Sequence, residues 1–283
     1  MVKLKYMTIS EFIYTVILRP QPLRNLTNRI LRAIIPQSVN RHGAKIFLDP
    51  DDPVLSGAFV LRVFERPETD FFIKTIRPGM TFLDVGANVG YYTALALSVM
   101  GKNARIVSIE PNPQSFKYLL KTVAANDGKN VSCIQKAASN QAGSMPIFLN
   151  LDNHADNRLY ANNMASSSCE VSVETIDKML EGVGVSKVDF IKIDVQGYEG
   201  HALSGMKETI RRSPKLQILS EFWPAGLLAG GTDPKTYLSE LHDLGLELFE
   251  LTKNRRLQKI MDFDELIKSH TGRLYTNIIG IKS

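Results

Sequence analysis

The feature that most constrains this chain is a regular alternation, from residue 80 onward, of short apolar runs with stretches at helical spacing. Runs with the composition of buried strands occur at 81–85, 105–109, 131–136, 188–195, 217–222, 246–251 and 274–281. Helical periodicity marks 91–100, 113–126, 176–182, 200–212 and 234–244 between most of them. Strands buried on both faces read as near-continuous apolar runs, and parallel neighbours need a crossover helix between them. The pattern therefore predicts an α/β fold, a Rossmann-like doubly wound sheet of seven strands with helices on both faces. Two further extended segments, 145–150 and 169–174, read as an insertion beside the active-site edge. Between the last two strands no helix is evident, only a polar stretch containing Asp264-Glu265-Leu266-Ile267.

In such a sheet, ligands bind at the carboxyl ends of the strands, where strand order reverses. The first strand of the regular part ends in Asp84-Val85-Gly86-Ala87-Asn88-Val89-Gly90, and a helix follows at once. Gly86 and Gly90 allow a sharp turn and a close backbone approach. A dinucleotide loop would read GxGxxG and leave helix N–H groups for a pyrophosphate, but here the middle glycine is replaced. Asp84 at the mouth would also repel a pyrophosphate, whereas it suits a cationic, amino-acid-like ligand. The second strand is followed by Glu110, where a carboxylate can grip both hydroxyls of a ribose. A glycine turn with a ribose carboxylate and no phosphate grip points to S-adenosylmethionine.

The fourth strand carries Asp189-Phe190-Ile191-Lys192-Ile193-Asp194-Val195-Gln196-Gly197-Tyr198-Glu199. With a side-chain period of two, Lys192 and Asp194 face the same way. Charges at the end of a buried strand are costly unless they serve a ligand or pair with each other. The fifth strand brings Glu221 to a similar place. Methyl transfer from a sulfonium is an in-line displacement governed by positioning, and an alcohol acceptor also needs help losing its proton. Asp194, Lys192 and Glu221 are the catalytic candidates. Asp194 would be a base or the first ligand of a divalent metal; Lys192 would polarise the acceptor or neutralise Asp194. An alternative is a structural ion pair of Lys192 with Glu221.

The segments DVGANVGYYT at 84–93 and DFIKIDVQGYE at 189–199, with SIEPNP at 108–113 and VETID at 173–177, resemble the FkbM family of S-adenosylmethionine-dependent methyltransferases. The resemblance spans about residues 70–252 and implies a seven-stranded sheet of the class I methyltransferase type, with O-methylation of polyketide or glycan hydroxyls. It implies that Asp84, Gly86, Asn88 and Gly90 line the methionine part of the cofactor and Glu110 the ribose. Asn112, in the SIEPNP segment, joins the cofactor candidates, and Asp194 faces the acceptor. The family commonly has glutamate where this chain has Gln196. His154, in a variable loop with Asp152, Asp156 and Arg158, is a substrate-side candidate with Tyr198 and His201.

Residues 1–69 read as an N-terminal helical cap and 70–283 as the S-adenosylmethionine-binding domain. Thr8-Ile9-Ser10-Glu11 has capping-box spacing and opens a helical stretch that Pro20 and Pro22 break; a second, with Leu23, Leu26, Ile30 and Ile34 on one face, ends at Pro36. Residues 1–45 hold eight basic residues against Glu11, while the remainder is slightly acidic. Residues 1–36 are expected to pack on the domain or a second subunit, or to dock as a basic amphipathic surface on anionic lipid. The apolar stretch 9–18 is too short to span a bilayer. Cys133 and Cys169 form no metal or disulfide pattern, which fits a cytoplasmic protein, at the inner membrane face if the helices dock. The body lacks the basic surplus of a nucleic-acid methyltransferase, and no Asp-Pro-Pro-aromatic motif follows the fourth strand. The acceptor is thus expected to be a small molecule or glycan, against the alternatives of a nucleic-acid methyltransferase or a non-catalytic cofactor-binding scaffold.

Overall fold

The computed structural model describes residues 35–101, 103–150, 157–161 and 167–282. The predicted helices before residue 35 and the candidate His154 lie outside the described residues. The described chain opens with a hairpin, β1 (Ser38–Arg41) and β2 (Ala44–Phe47), paired antiparallel. Its turn residues, His42 and Gly43, both have positive φ, as a two-residue turn matched to strand twist requires. Two helices follow, α1 (Pro53–Val60), capped by Asp52, and α2 (Arg66–Thr75). No continuous helix joins the two, because Arg62 and Glu65 take left-handed conformations that no α-helix accommodates.

The regular part then runs β3 (Thr81–Val85), α3 (Tyr91–Met100), β4 (Arg105–Ile109), α4 (Pro113–Ala125) and β5 (Val131–Ile134). The insertion is a small sheet of β6 (Ala137–Ala138), β7 (Gly143–Leu149) and β8 (Ser167–Glu174). Next come α5 (Ile176–Gly182), β9 (Phe190–Ile193), α6 (Glu199–Ser204), α7 (Lys207–Arg212), β10 (Gln217–Phe222), α8 (Pro224–Ala229) and α9 (Pro234–Asp243). The stretch predicted as one helix over 200–212 divides at Gly205, where a Cβ would lie 2.0 Å from the Ser139 carbonyl oxygen. The chain closes with β11 (Glu247–Leu251), β12 (Leu257–Lys259), α10 (Phe263–Ser269) and β13 (Thr276–Ile281).

The polar stretch expected to be irregular is helix α10. Asp262 caps it, accepting from the Asp264 and Glu265 backbone N–H groups, and two acids in the first turn favour the helix dipole. The main sheet has eight strands in the order β12-β11-β13-β10-β9-β3-β4-β5. Seven are those expected; β12 is a fully exposed edge strand without an apolar pattern to announce it. β10, β9, β3, β4 and β5 run parallel, and β13 is antiparallel to both neighbours. Strand order reverses between β3 and β9, so the Rossmann-like doubly wound topology puts its crevice there.

Alternation along the strands sorts two cores. Leu83, Val85, Val107, Ile191 and Ile193 face one way, with Leu203, Tyr237 and Leu238. Phe82, Ile106, Phe190 and Leu219 face the other, under Ile46, Phe59, Phe72 and Leu95. Each buried aromatic there contributes roughly 2 kcal/mol of transfer free energy. Asp84, Ser108, Lys192 and Glu221 share this second face by register, one or two residues beyond the last apolar side chains. The hairpin, α1 and α2 therefore roof the face that carries the charges. No described helix is long and apolar enough to cross a membrane.

Candidate active site

A cavity of about 590 Å³ opens over the carboxyl ends of β3, β4, β9 and β10. One end is built from a single stretch of chain. Gly86 has φ +82°, and a Cβ there would stand 1.9 Å from the Asp194 carbonyl oxygen. Its close approach is to the β9 chain rather than to a ligand. Gly90 has φ +85°, and a Cβ would meet Leu119 at 2.8 Å. The loop amides are used internally. Gly86 and Ala87 donate to the Ile109 carbonyl, Gly90 donates to Ala87, and Asn88 donates to Glu110 Oε2 at 2.8 Å. A pyrophosphate would find few free N–H groups here.

Glu110 lines the cavity, and its Oε1 accepts from the Asn112 backbone at 2.8 Å. Burial pushes its carboxyl up to about 7, against the pull of the Asn112 and Asn88 N–H groups. Each carboxylate oxygen can accept a second bond, as two ribose hydroxyls would require. Asp84 is buried; its Oδ2 accepts from Thr93 at 2.7 Å and its Oδ1 has no partner. Burial raises it to about 6, although Lys192 opposes the shift. The Asn88 side-chain oxygen is buried and unpartnered too. Asp84 and Gly90 are outside the cavity lining, whereas Asn88 and Glu110 are part of it; an orphaned acceptor at Asn88 suits a ligand with ammonium or hydroxyl donors, so Glu110 and Asn88 fit S-adenosylmethionine. Asn112 is placed otherwise, as the cap of α4 through its bond from the Gln114 N–H, outside the cavity lining.

The other end is assembled from side chains on separate elements. Lys192 Nζ lies 3.0 Å from Asp194 Oδ2 and 4.7 Å from the centroid of Tyr92. Burial works against its charge, but the carboxylates of Asp194, Glu65 and Asp84 outweigh it and raise its pKa. Lys192 is therefore a permanent ammonium. Its ion pair is with Asp194, not Glu221. Gln196, at φ +54°, donates from one amide nitrogen to Asp194 Oδ1 at 2.7 Å and to Glu221 Oε2 at 3.1 Å. Burial, followed by the negative charges of Asp194 and Glu199, holds the Glu221 carboxyl well above the usual range. Glu65 lines the same end and accepts from Tyr92 at 2.6 Å; burial lifts it to about 7.

Carboxylate oxygens of Asp194, Glu199 and Glu221 come within 4.8 Å of one another, the spacing of a metal site. The donor set does not fit one. The ammonium of Lys192 and the amide of Gln196 already point at the Asp194 oxygens, and Glu199 Oε1 accepts from the Val195 and Gly197 N–H groups. Burial raises Glu199 to about 7, so its unpartnered Oε2 carries a proton for much of the time near neutrality. The cluster is held by hydrogen bonds from the chain's own groups rather than arranged around a cation.

Tyr198 and His201 lie outside the cavity lining. Tyr198 is buried beneath the small sheet, and its ring stacks on His201 at 4.1 Å. His201 Nε2 hydrogen-bonds the Gly230 carbonyl at 2.9 Å, which ties α6 to the end of α8. Sequence reasoning missed Glu65, Trp223 and Arg273, all of which line the cavity. Glu65 precedes Arg66-Pro67, a helix-start signal, but nothing local shows which site it faces. The guanidinium of Arg158 sits 4.7 Å from the Trp223 ring, whose indole N–H donates to Gly272 beside Arg273. These residues make a cationic and aromatic mouth next to the Asp194 end.

The family model described as the methyltransferase FkbM domain matches residues 84–255. Methyltransferase sdnD of Sordaria araneosa is 26% identical, over 51% of this chain and 67% of that protein. Hexuronic acid methyltransferase AglP of Haloferax volcanii is 26% identical, over 61% of this chain and 65% of its own length. The chain thus spans about two thirds of the length of these relatives. Similar solved structures include a SAM-dependent methyltransferase from Aquifex aeolicus, with a TM-score of 0.42 and 16% identity, covering 77% of this chain and 90% of that one. Another is a precorrin-6y C5,15-methyltransferase from Geobacter metallireducens, with a TM-score of 0.45 and 13% identity, covering 79% and 88%.

Proposed function

The chain belongs to the FkbM family of methyltransferases, and from that premise we propose that it methylates a hydroxyl oxygen of a glycan or a polyketide-like natural product. The observation that carries this reading is the shared cavity, with Glu110 and the glycine loop at one end and the Lys192–Asp194–Gln196–Glu221 constellation at the other.

S-adenosylmethionine, when bound, supplies the electrophilic methyl carbon. Glu110 would hold its ribose, and Asn88 its amino-acid end. At the other end an acceptor oxygen must lose a proton as it takes up carbon. Lys192 stays protonated and can only donate. Burial and the negative charges of Asp194 and Glu199 hold the Glu221 carboxyl well above the usual range, which disfavours it as a base. Asp194 is left as the group that receives the acceptor's proton at a carboxylate oxygen, beside the Lys192 charge that balances it. Gln196 fixes Asp194 and Glu221 in one geometry, so their positions are set before an acceptor arrives.

Trp223, Arg158 and Arg273 at the mouth support a sugar over a purely apolar acceptor. Aromatic faces pack on sugar rings, and guanidinium groups grip carboxylates. The hexuronic acid methyltransferase among the relatives supports the same side of the choice. The test incubates the protein and S-adenosylmethionine with panels of uronosides, neutral glycosides and polyketide alcohols, and titrates S-adenosylhomocysteine by calorimetry. A methoxyl product from a sugar is the expected result. Methylation on nitrogen or carbon would overturn the reading. So would a folded protein that fails to bind S-adenosylhomocysteine.

A further inference from the structure

Among the described residues, seven that are not glycine have positive φ: His42, Arg62, Glu65, Asn88, Asp127, Gln196 and Arg255. Such conformations cost about 1 kcal/mol or more each and persist where surrounding structure over-determines them, often at ligand sites. Glu65, Asn88 and Gln196 line the cavity described above. His42, Arg62 and Arg255 line a second cavity, of about 490 Å³. Only Asp127 belongs to neither.

The two cavities share the wall formed by Phe59, Phe64 and Tyr91, whose rings pack with centroids 4.6–5.2 Å apart. Their chemistry is opposite. The first is rich in carboxyls, whereas the second gathers Arg41, Arg62, Arg66 and Arg255 with His42. The one carboxylate in its lining, Asp70, is engaged by Arg255 Nε at 2.8 Å. Arg41 is pinned by its bonds to the Phe59 and Val60 carbonyls, so it cannot swing away from its neighbours. Its pKa is held below the ordinary range by burial and by the like charge of Arg62. The sequence ahead of the hairpin adds no neutralising surplus, since residues 1–34 carry six basic residues against Glu11.

Four guanidinium groups line this recess, and the planar N–H forks of a guanidinium match the oxygens of a phosphate better than a single neutral ligand. The recess is larger than a lone monophosphate needs. We propose that the second cavity binds a diphosphate- or phosphodiester-bearing ligand, separate from the methyl-transfer cavity and backed by the same aromatic wall. That chemistry is offered by a soluble phosphorylated compound or by a phospholipid headgroup.

The experiment uses the full chain with two probes. Inorganic pyrophosphate is titrated by calorimetry, and flotation is measured with phosphatidylcholine vesicles with and without phosphatidylglycerol. The wild type is compared with Arg62→Glu/Arg255→Glu and with the milder Arg62→Gln/Arg255→Gln; both side chains are exposed. S-adenosylhomocysteine affinity, expected to be unchanged, reports that the variants are folded. The wild type should bind pyrophosphate in a salt-sensitive way, and the charge-reversal variant roughly tenfold or more weakly. Pyrophosphate binding without a flotation difference identifies a soluble ligand. A flotation difference that depends on phosphatidylglycerol identifies a headgroup, because all proteins compared share the same basic residues 1–34. The proposal is overturned if pyrophosphate binds the wild type and variants equally or not at all while their flotation is also the same.

Discussion

The two ends of the main cavity are built in opposite ways. The end proposed for the cofactor comes from one stretch, residues 84–112, and is held by backbone hydrogen bonds that terminate on Ile109 and Glu110. The acceptor end draws Glu65, Lys192, Asp194, Gln196 and Glu221 from the start of α2, the end of β9 and the end of β10, with Arg158 and Arg273 from loops beyond. It is held by side-chain charge. Local turns can specify the first end because each partner is a few residues away in sequence or on an adjacent strand. The second exists only after the sheet has formed and α1 and α2 have covered one face. On the proposed reading, a cofactor common to many enzymes would sit at the locally encoded end, and the variable acceptor at the assembled one.

The sharpest way to break this division is a pair of variants. Asp194→Asn should lower the turnover number by about 10²–10⁴-fold, the usual share of a general base, with S-adenosylhomocysteine affinity within about threefold of wild type. Glu110→Gln should do the reverse, weakening S-adenosylhomocysteine by roughly tenfold or more while leaving turnover at saturating cofactor nearly unchanged. Calorimetry and steady-state rates decide it; equal effects of both variants on both quantities would erase the division. Gly86 tests the point where the ends touch. Gly86→Ala forces a Cβ into the Asp194 carbonyl at positive φ, and should cost roughly 3 kcal/mol of stability in denaturant unfolding. A variant as stable as wild type would mean that the loop and β9 are not locked together.

The smallest effect is electrostatic and spans both ends. In the folded chain Glu65, Glu110 and Glu199 titrate at about 7 and Asp84 at about 6, against ordinary values near 4. The folded state therefore binds more protons than the unfolded state between about pH 4.5 and 7, and its stability falls as pH rises through that window. The melting temperature of ligand-free protein should decline by several degrees from about pH 5 to pH 8. If Glu110 holds the ribose as proposed, its hydroxyls would donate to the ionised form, so S-adenosylhomocysteine affinity should rise over the same range and lessen the decline. A flat or rising melting profile would show that these carboxyls are better solvated than their burial implies.

Most of the fold was legible in the chain. Apolar runs and helical periods located the seven strands and most crossovers, because burial on both faces of a parallel sheet leaves an unmistakable pattern. The exceptions had weak or misleading signals. β12 is exposed, α10 is rich in acids that cap rather than disrupt it, and the breaks at Arg62–Glu65 and Gly205 come from contacts with distant segments. Of the charges readable at strand ends, where an unpaired charge is costly, Glu110, Lys192, Asp194 and Glu221 line the cavity and Asp84 does not. Glu65 had no such mark, and Asn112, Tyr198 and His201 carry side chains that serve the scaffold's own packing and caps.

What the amino-acid sequence determined alone is the doubly wound sheet, the glycine turn and the carboxylate that follows the second strand. These depend on period, turn chemistry and near neighbours. The tertiary structure decided which charges meet: that Lys192 pairs with Asp194, that Gln196 joins Asp194 to Glu221, and that arginines from the hairpin, the α1–α2 break and the segment after β11 surround one recess. The reason is physical. Backbone preference acts over a few residues, whereas the free energy of a charge is set by whatever the folded chain brings within a few ångströms of it.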